Sequence, residues 1–280
     1  MKKQAPAKIN LGLHVLSKRN DGFHALETVF LAIKWADELT FSPSDTLSLV
    51  CSDPRLPMDH TNLCMKAALI LKERFQVVQG CQIHLQKNIP FGAGLGGGSS
   101  DAATVLKQLA KSWNLPVSTA ELSELAALLG SDVPFFLHEQ PMYATGRGEI
   151  LTPLINLDET PYTFPFHLVV AMPVVAVPTP LAYRLITPNN RSRPDLRKIV
   201  CTNDPEYWRK TLVNDFQLPI LSHFPEINRV ATLFEETNAV YTSLSGSGAA
   251  FFGVFERAGH ARSATKLFED HHINVWTDAP

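Results

Sequence analysis

Pro90-Phe-Gly-Ala-Gly-Leu-Gly-Gly-Gly-Ser-Ser-Asp-Ala-Ala103 places five glycines and two serines where an extended segment gives way to an amphipathic helix. Upstream, Cys81, Ile83 and Leu85 alternate with Gln82, His84 and Gln86, the period-2 pattern of a strand with one buried face. Downstream, Ala102, Ala103, Leu106, Leu109, Ala110 and Trp113 recur at helical spacing. A helix is therefore predicted to begin near Ser99 or Ser100, with either serine able to cap it. Glycines let the backbone approach a ligand closely, and a helix N-terminus carries roughly half a positive charge. Strand, glycine loop and helix start together predict a phosphate cradle.

The loop does not match the common phosphate motifs. A Walker A loop requires Gly-Lys-Ser/Thr, and here Gly98 occupies the lysine position before Ser99. Gly92, Gly94 and Gly97 satisfy the GxGxxG spacing of dinucleotide-binding folds. That fold also needs a second parallel strand after the helix and an acidic residue about 20 positions on, whereas Asn114-Leu-Pro116 leads into another helical pattern. A nicotinamide-dependent dehydrogenase is thereby disfavoured.

The chain has 280 residues, 45% hydrophobic and 19% charged, the profile of a globular protein with room for two domains of roughly 150 residues each. A net charge of −2, with no basic run beyond Lys2 and Lys3, predicts neither a nucleic-acid nor a membrane partner. Cys51, Cys64, Cys81 and Cys201 form no CxxC pair, which disfavours a disulfide framework or zinc site and fits a reduced, cytoplasmic setting. Asn10, Gly12 and His14 interrupt the early apolar stretch, so no signal-peptide core is expected.

Near the N-terminus Ile9, Leu11, Leu13 and Val15 alternate with Lys8, Asn10, Gly12 and His14. One face of this strand is core, and for the other, taken alone, a solvated surface is the simpler expectation. Asn20-Asp21-Gly22 predicts a turn, with Phe23 and His24 beyond its tip and a strand through Leu26, Thr28 and Phe30. Short strands are predicted at 39–41 and 47–50, a helix at 62–75, and a helix from Ser118, where Ser118 and Glu121 form a capping box. Asp132, between a helix end and the apolar run Val133 to Phe136, fits a short-helix cap as well as a functional carboxylate. A proline-rich stretch from Leu151 to Phe166 is read as the boundary between domains 1–155 and 156–280. Beyond it the pattern predicts helices at 206–216, 226–237 and 262–270, and strands at 167–172, 240–244, 249–255 and 273–276. This alternation suggests an α+β fold.

Three segments in order, Pro6-Ala-Lys-Ile-Asn-Leu-Gly-Leu13, Pro90 to Ala103 and Ser243-Leu-Ser-Gly-Ser-Gly248, closely resemble the small-molecule kinases named for galactokinase, homoserine kinase, mevalonate kinase and phosphomevalonate kinase, the GHMP family. The resemblance spans nearly the whole chain. It implies a two-domain α+β fold, with an N-terminal domain like ribosomal protein S5 domain 2 and a C-terminal ferredoxin-like domain. Asp21-Gly-Phe-His24, Ser131-Asp-Val-Pro-Phe-Phe136 and Val177-Pro-Thr-Pro180 are similar to one branch of that family. In that branch ATP phosphorylates the 2-hydroxyl of a methylerythritol carried on a cytidyl diphosphate, in the non-mevalonate route to isoprenoid precursors. A homoserine or mevalonate type is the alternative.

By the same resemblance Lys8 and Asp132 match the catalytic pair. Pro90, Gly92, Gly94, Leu95, Gly96, Gly97, Gly98, Ser99 and Ser100 match the loop around the ATP phosphates, with Mg2+ as companion ion. Asn10, His24, Thr179, Ser245 and Gly246 match substrate-side positions, and Phe23 and Tyr183 match two aromatic residues that sandwich the cytosine. The family usually carries Tyr where this chain has Phe23; the stacking face is kept and a hydroxyl is lost. Tyr183 also fits a helix residue packed beside Leu181 and Leu185. A monomer or weak homodimer is expected.

Overall fold

The computed structural model describes residues 1–191 and 193–280. In chain order the elements are β1 (Lys2–Lys18), β2 (His24–Ser44), β3 (Leu47–Cys51), α1 (Leu63–Phe75), β4 (Gly80–Gln86), α2 (Gly97–Ser112), α3 (Thr119–Leu129), a 3-10 turn (Pro134–Leu137), β5 (Met142–Thr145), β6 (Ile150–Pro153) and β7 (His167–Met172). Then follow α4 (Thr179–Leu185), α5 (Leu196–Cys201), α6 (Pro205–Thr211), α7 (Gln217–His223), α8 (Pro225–Glu235), β8 (Tyr241–Leu244), β9 (Phe251–Phe255), α9 (Ala258–Asp270) and β10 (Asn274–Thr277).

Two compact units interleave along the chain. The first comprises Met1–Ala7, Ala32–Phe91 and Gly96–Glu139, the second Lys8–Leu31, Gly92–Leu95 and Gln140–Pro280. The long strands β1 and β2 contribute residues to both.

In the first unit β4 is central. It pairs antiparallel with the second half of β2, Phe41 opposite Ile83, and parallel with β3, Leu49 opposite Ile83. Leu39, Phe41, Cys81, Ile83 and Leu85 are buried, as period-2 alternation demands. Helix α1 packs on α2, and α2 on α3, with Ala67, Ala68, Ala102 and Ala103 fully buried. Asn62 caps α1 by accepting from the Cys64 amide at 2.9 Å, and Ser118 caps α3 by accepting from the Glu121 amide at 3.1 Å.

In the second unit an antiparallel sheet has the order β10-β7-β9-β8. Its core joins Val169 and Ala171 of β7 and Phe251 and Phe255 of β9 with Val230 and Phe234 of α8 and Phe268 of α9. The first half of β2 pairs with β5, Thr28 opposite Ala144, and β5 with β6.

Several elements differ from the expectation. The strands expected around Phe30 and Phe41 are one continuous β2, since no glycine or proline interrupts residues 26 to 41. The helix expected over 206–216 stops at Thr211. The next residues pair with β1 instead: the Leu13 amide donates to Val213 and the Asp215 amide to Leu13, both at 2.9 Å. Tertiary pairing there overrides a helical pattern. The short α4, α5 and α7 lie in proline-rich stretches whose periodicity is too brief to read.

Candidate active site

Strand β1 is buried on both faces. Lys8, Asn10 and His14 are 3%, 1% and 2% exposed, so the expected solvated face is corrected: the polar residues of this strand point into the second unit. A chain of hydrogen bonds satisfies Lys8 and Asn10, whereas His14 Nδ1 is buried without a hydrogen-bond partner. Lys8 Nζ donates to Asn10 Oδ1 at 2.6 Å, Asn10 Nδ2 to Thr28 Oγ1 at 2.9 Å, and Thr28 Oγ1 to the Gly12 carbonyl at 2.6 Å. The Lys8 ammonium also lies 5.4 Å from the centroid of the Phe30 ring. Burying an ammonium is costly unless such partners surround it.

The glycine loop is fixed by its carbonyls. Ala93 accepts from the Ala250 amide at 3.0 Å and Leu95 from the Lys8 amide at 2.9 Å. Between them Gly94 accepts from Lys8 Nζ at 2.9 Å and from Ser245 Oγ at 3.1 Å. Three successive carbonyls are thus spent on the protein. Gly94 needs glycine for two reasons: its φ is +75°, and an added Cβ would stand 2.4 Å from the Ser245 carbonyl and 2.8 Å from that of Gly248. Gly246, with φ +57°, has its Cβ position 3.4 Å from both Lys8 Nζ and Asn10 Oδ1, so the 245–248 turn lies directly against the lysine.

The helix after the loop starts earlier than expected. Gly96, with φ 71°, is the N-cap of α2, and no side chain caps it. Neither Ser99 nor Ser100 does so, because both lie inside the first helical turns. The Ser100 hydroxyl is buried without a hydrogen-bond partner. Of the other loop residues, Leu95 is buried, Pro90, Gly97 and Ser99 are half-buried, and Gly92 and Gly98 are exposed.

A charged cluster in the first unit holds the loop's flanks. Lys87 Nζ pairs with Asp37 and donates to Asp101 at 2.8 Å, while Asp37 Oδ1 accepts from the amides of Asn88 and Ile89 at 2.6 and 2.8 Å. The strand exit and the first turns of α2 are thereby tied together. Burial is the main force pushing the Asp101 carboxyl up, to about 7; Lys87 opposes it and Asp37 adds to it. Asp101 stands within the motif read from the sequence, but nothing there revealed its partners.

At the β1–β2 hairpin Asp21 accepts from the Phe23 amide at 3.1 Å and forms a two-pronged ion pair with Arg19. Phe23 is 51% exposed, with the Arg147 guanidinium 4.7 Å from its ring centroid. His24 and Tyr183 stack, centroids 4.5 Å apart and planes at 18°, and Tyr183 also packs edge-on against Phe216. Tyr183 therefore belongs to helix α4 and to an aromatic stack at once. Burial first, then Lys18, lowers the His24 pKa. Thr179 is exposed at the start of α4. Asp132 is half-buried in the first unit, just before the 3-10 turn.

The family profile "GHMP kinases N terminal domain" matches residues 62–140, and "GHMP kinases C terminal" matches residues 193–267. The chain is 48% identical over 272 residues to the 4-diphosphocytidyl-2-C-methyl-D-erythritol kinase of Salinibacter ruber, covering 97% of this chain and 95% of that one. Its identity to the enzyme of the same name from Chlorobium limicola is 43%, covering 98% and 95%. A crystal structure of 4-(cytidine 5'-diphospho)-2C-methyl-D-erythritol kinase superposes with TM-score 0.82 at 36% identity, covering 99% and 98%. A homoserine kinase from Cytophaga hutchinsonii, at 17% identity and TM-score 0.73, shares the fold. The chain is a small-molecule kinase and belongs to the 4-diphosphocytidyl-2-C-methyl-D-erythritol kinases of the GHMP family.

Proposed function

We propose that this kinase transfers the γ-phosphoryl group of ATP to the 2-hydroxyl of 4-diphosphocytidyl-2-C-methyl-D-erythritol, in the non-mevalonate route to isoprenoid precursors. The observation that carries the reading is the Lys8 ammonium, buried and hydrogen-bonded to Gly94 of the phosphate loop. Phosphoryl transfer passes through a loose transition state, so positioning and charge neutralisation matter more than prior removal of the hydroxyl proton. A carboxylate is in any case far too weak a base to deprotonate an alcohol beforehand. In this proposal Asp132 orients the hydroxyl and accepts its proton late, and Lys8 stabilises the oxygen as charge develops.

The loop from Pro90 to Ser100 is assigned to the ATP phosphates, and Asn10, Phe23, His24, Thr179, Tyr183, Ser245 and Gly246 to the substrate side. Magnesium fits the residues present. The Ser100 hydroxyl is buried without a partner, and among the described residues no cluster of three His, Cys, Asp or Glu forms a cage by itself, in keeping with an ion carried largely by nucleotide phosphates and waters. Ser99 or Ser100 would touch it; when bound it neutralises phosphate charge. The boundary near residue 155 remains our proposal for the two family modules, whose matches fall on either side. No helix among the described residues is long and apolar enough to cross a membrane. We assign the kinase to the cytoplasm as a monomer or weak homodimer without nucleic-acid or membrane partners.

The test is an ADP-release assay with ATP and a panel of acceptors. Turnover is expected with the cytidyl diphosphate substrate and not with homoserine, mevalonate or galactose. Turnover with one of those alone would overturn the substrate assignment and leave the family intact.

A further inference from the structure

The segment Val213-Asn214-Asp215 runs beside β1, with Leu13 and Asn214 forming a parallel bridge. Asp215 also accepts from the Val15 amide at 2.8 Å and is gripped by Arg193 at 2.8 and 2.9 Å. Asn214 is thus held rigidly against the strand that carries Lys8. It is 3% exposed, and its amide is fully engaged: Nδ2 donates to the carbonyls of Leu244 at 2.8 Å and Gly246 at 2.9 Å, and Oδ1 accepts from the Phe216 amide at 3.0 Å. Gln217 grips the same turn, its Oε1 accepting from the Leu244 amide at 3.0 Å and from Ser243 Oγ at 3.1 Å.

The gripped turn carries Ser245, whose hydroxyl meets the Gly94 carbonyl that also binds Lys8. We propose that Asn214 is a positioning residue for phosphoryl transfer: its amide fixes the 244–246 turn, and through Ser245 and Gly94 sets the place of the Lys8 ammonium and of the phosphate loop. This rests on the assignment of Lys8 to catalysis. The logic is that of a supporting shell, where the reacting group is precise only if its neighbours are locked. Leu244 and Gly246 offer carbonyls that only a donor can satisfy, so Asn is suited and Asp is not.

The experiment measures kcat and both KM values for Asn214→Asp, Ser245→Ala and the double variant, with near-UV circular dichroism as the check of folding. Asn214→Asp keeps the side-chain shape and replaces the donor by an oxygen facing two carbonyls. It is expected to lower kcat by at least about 30-fold while both KM values stay within about threefold, the signature of lost transition-state positioning. In the double variant Ser245→Ala is expected to add less than about threefold to the loss in kcat, because both act on kcat through one path, while the substrate-side contact assigned to Ser245 is read in KM.

Asn214→Ala is expected to lose less, since a cavity of about 460 Å³ lined by Asn214 and Gln217 gives water a route to the freed carbonyls. A folded Asn214→Asp enzyme with kcat within about threefold of wild type, or fully multiplicative losses in the double variant, would overturn the proposal. If Asn214→Asp does not fold, Gln217→Leu decides. It loosens the same turn without burying a charge and is expected to lower kcat about tenfold at unchanged KM, and no loss of kcat overturns the role. Lys8→Ala separates the two levels: near-wild-type turnover sinks the catalytic reading itself, whereas a large loss beside an intact Asn214→Asp sinks only the role of Asn214.

Discussion

Lys8 and Ser245 converge on one oxygen: the carbonyl of Gly94 accepts from the lysine ammonium at 2.9 Å and from the serine hydroxyl at 3.1 Å. Residues from the two ends of the chain thereby fix the same point of the glycine loop. The ammonium has little freedom to be anywhere else, since Asn10 holds it from the other side at 2.6 Å.

Lys8→Ala and Asp132→Asn are each expected to lower kcat by more than about 100-fold, the size typical of losing a group that meets developing charge. Steady-state kinetics on the folded variants checks this. A kcat within about threefold of wild type, under 1 kcal/mol of barrier, would remove that residue from the mechanism.

Two glycines with positive φ separate strain from close packing. At Gly22, φ +85°, an added Cβ meets nothing within 4 Å, whereas at Gly94 it meets backbone at 2.4 Å. Gly22→Ala is expected to cost about 1 kcal/mol of stability, from the left-handed conformation alone. Gly94→Ala must also displace the Ser245 turn, and is expected to abolish measurable turnover or destabilise by more than about 3 kcal/mol. Equal effects in chemical denaturation and in kcat would refute the distinction.

Phe23 presents a half-exposed ring with Arg147 over it. Phe23→Ala is expected to raise KM for the cytidyl substrate roughly tenfold, within the range of about 1–3 kcal/mol for base–aromatic stacking. Phe23→Tyr should change KM little. Unchanged KM and kcat in Phe23→Ala would count against a role of this ring in holding the base.

His14 makes stability depend on pH. Burial, followed by the charge of Arg193, lowers its pKa to about 4, against a smaller upward pull from Asp215; its Nδ1 has no hydrogen-bond partner. Between about pH 4 and the ordinary value near 6.5 the unfolded chain binds the proton and the folded one does not, so His14 stabilises above that window and its contribution is lost as pH falls through it. Urea unfolding at pH 7 and pH 5 should show His14→Gln losing roughly 2 kcal/mol less than wild type over that interval. Asp101, whose raised pKa acts in the opposite direction, is common to both proteins and cancels. Parallel losses in the two would show that His14 does not titrate in this way.

Much of the architecture is legible in the residues because it is local. Alternation at Cys81, Ile83 and Leu85 and the cap at Ser118 depend on near neighbours, and each appears where the pattern puts it. Where distant backbone competes, the local signal fails. The helical pattern after Glu206 breaks at Thr211 because Val213 and Asp215 pair with Leu13, and Gly96 displaces the serines as the cap of α2.

The sequence by itself determined the strand–glycine loop–helix order and, through three motifs in series, the family. Only the tertiary structure decided which groups hold that loop. Lys8, Asn214, Ser245 and the Lys87 cluster bind partners far away along the chain, and periodicity reports which face of an element is buried, not which distant donor meets which acceptor.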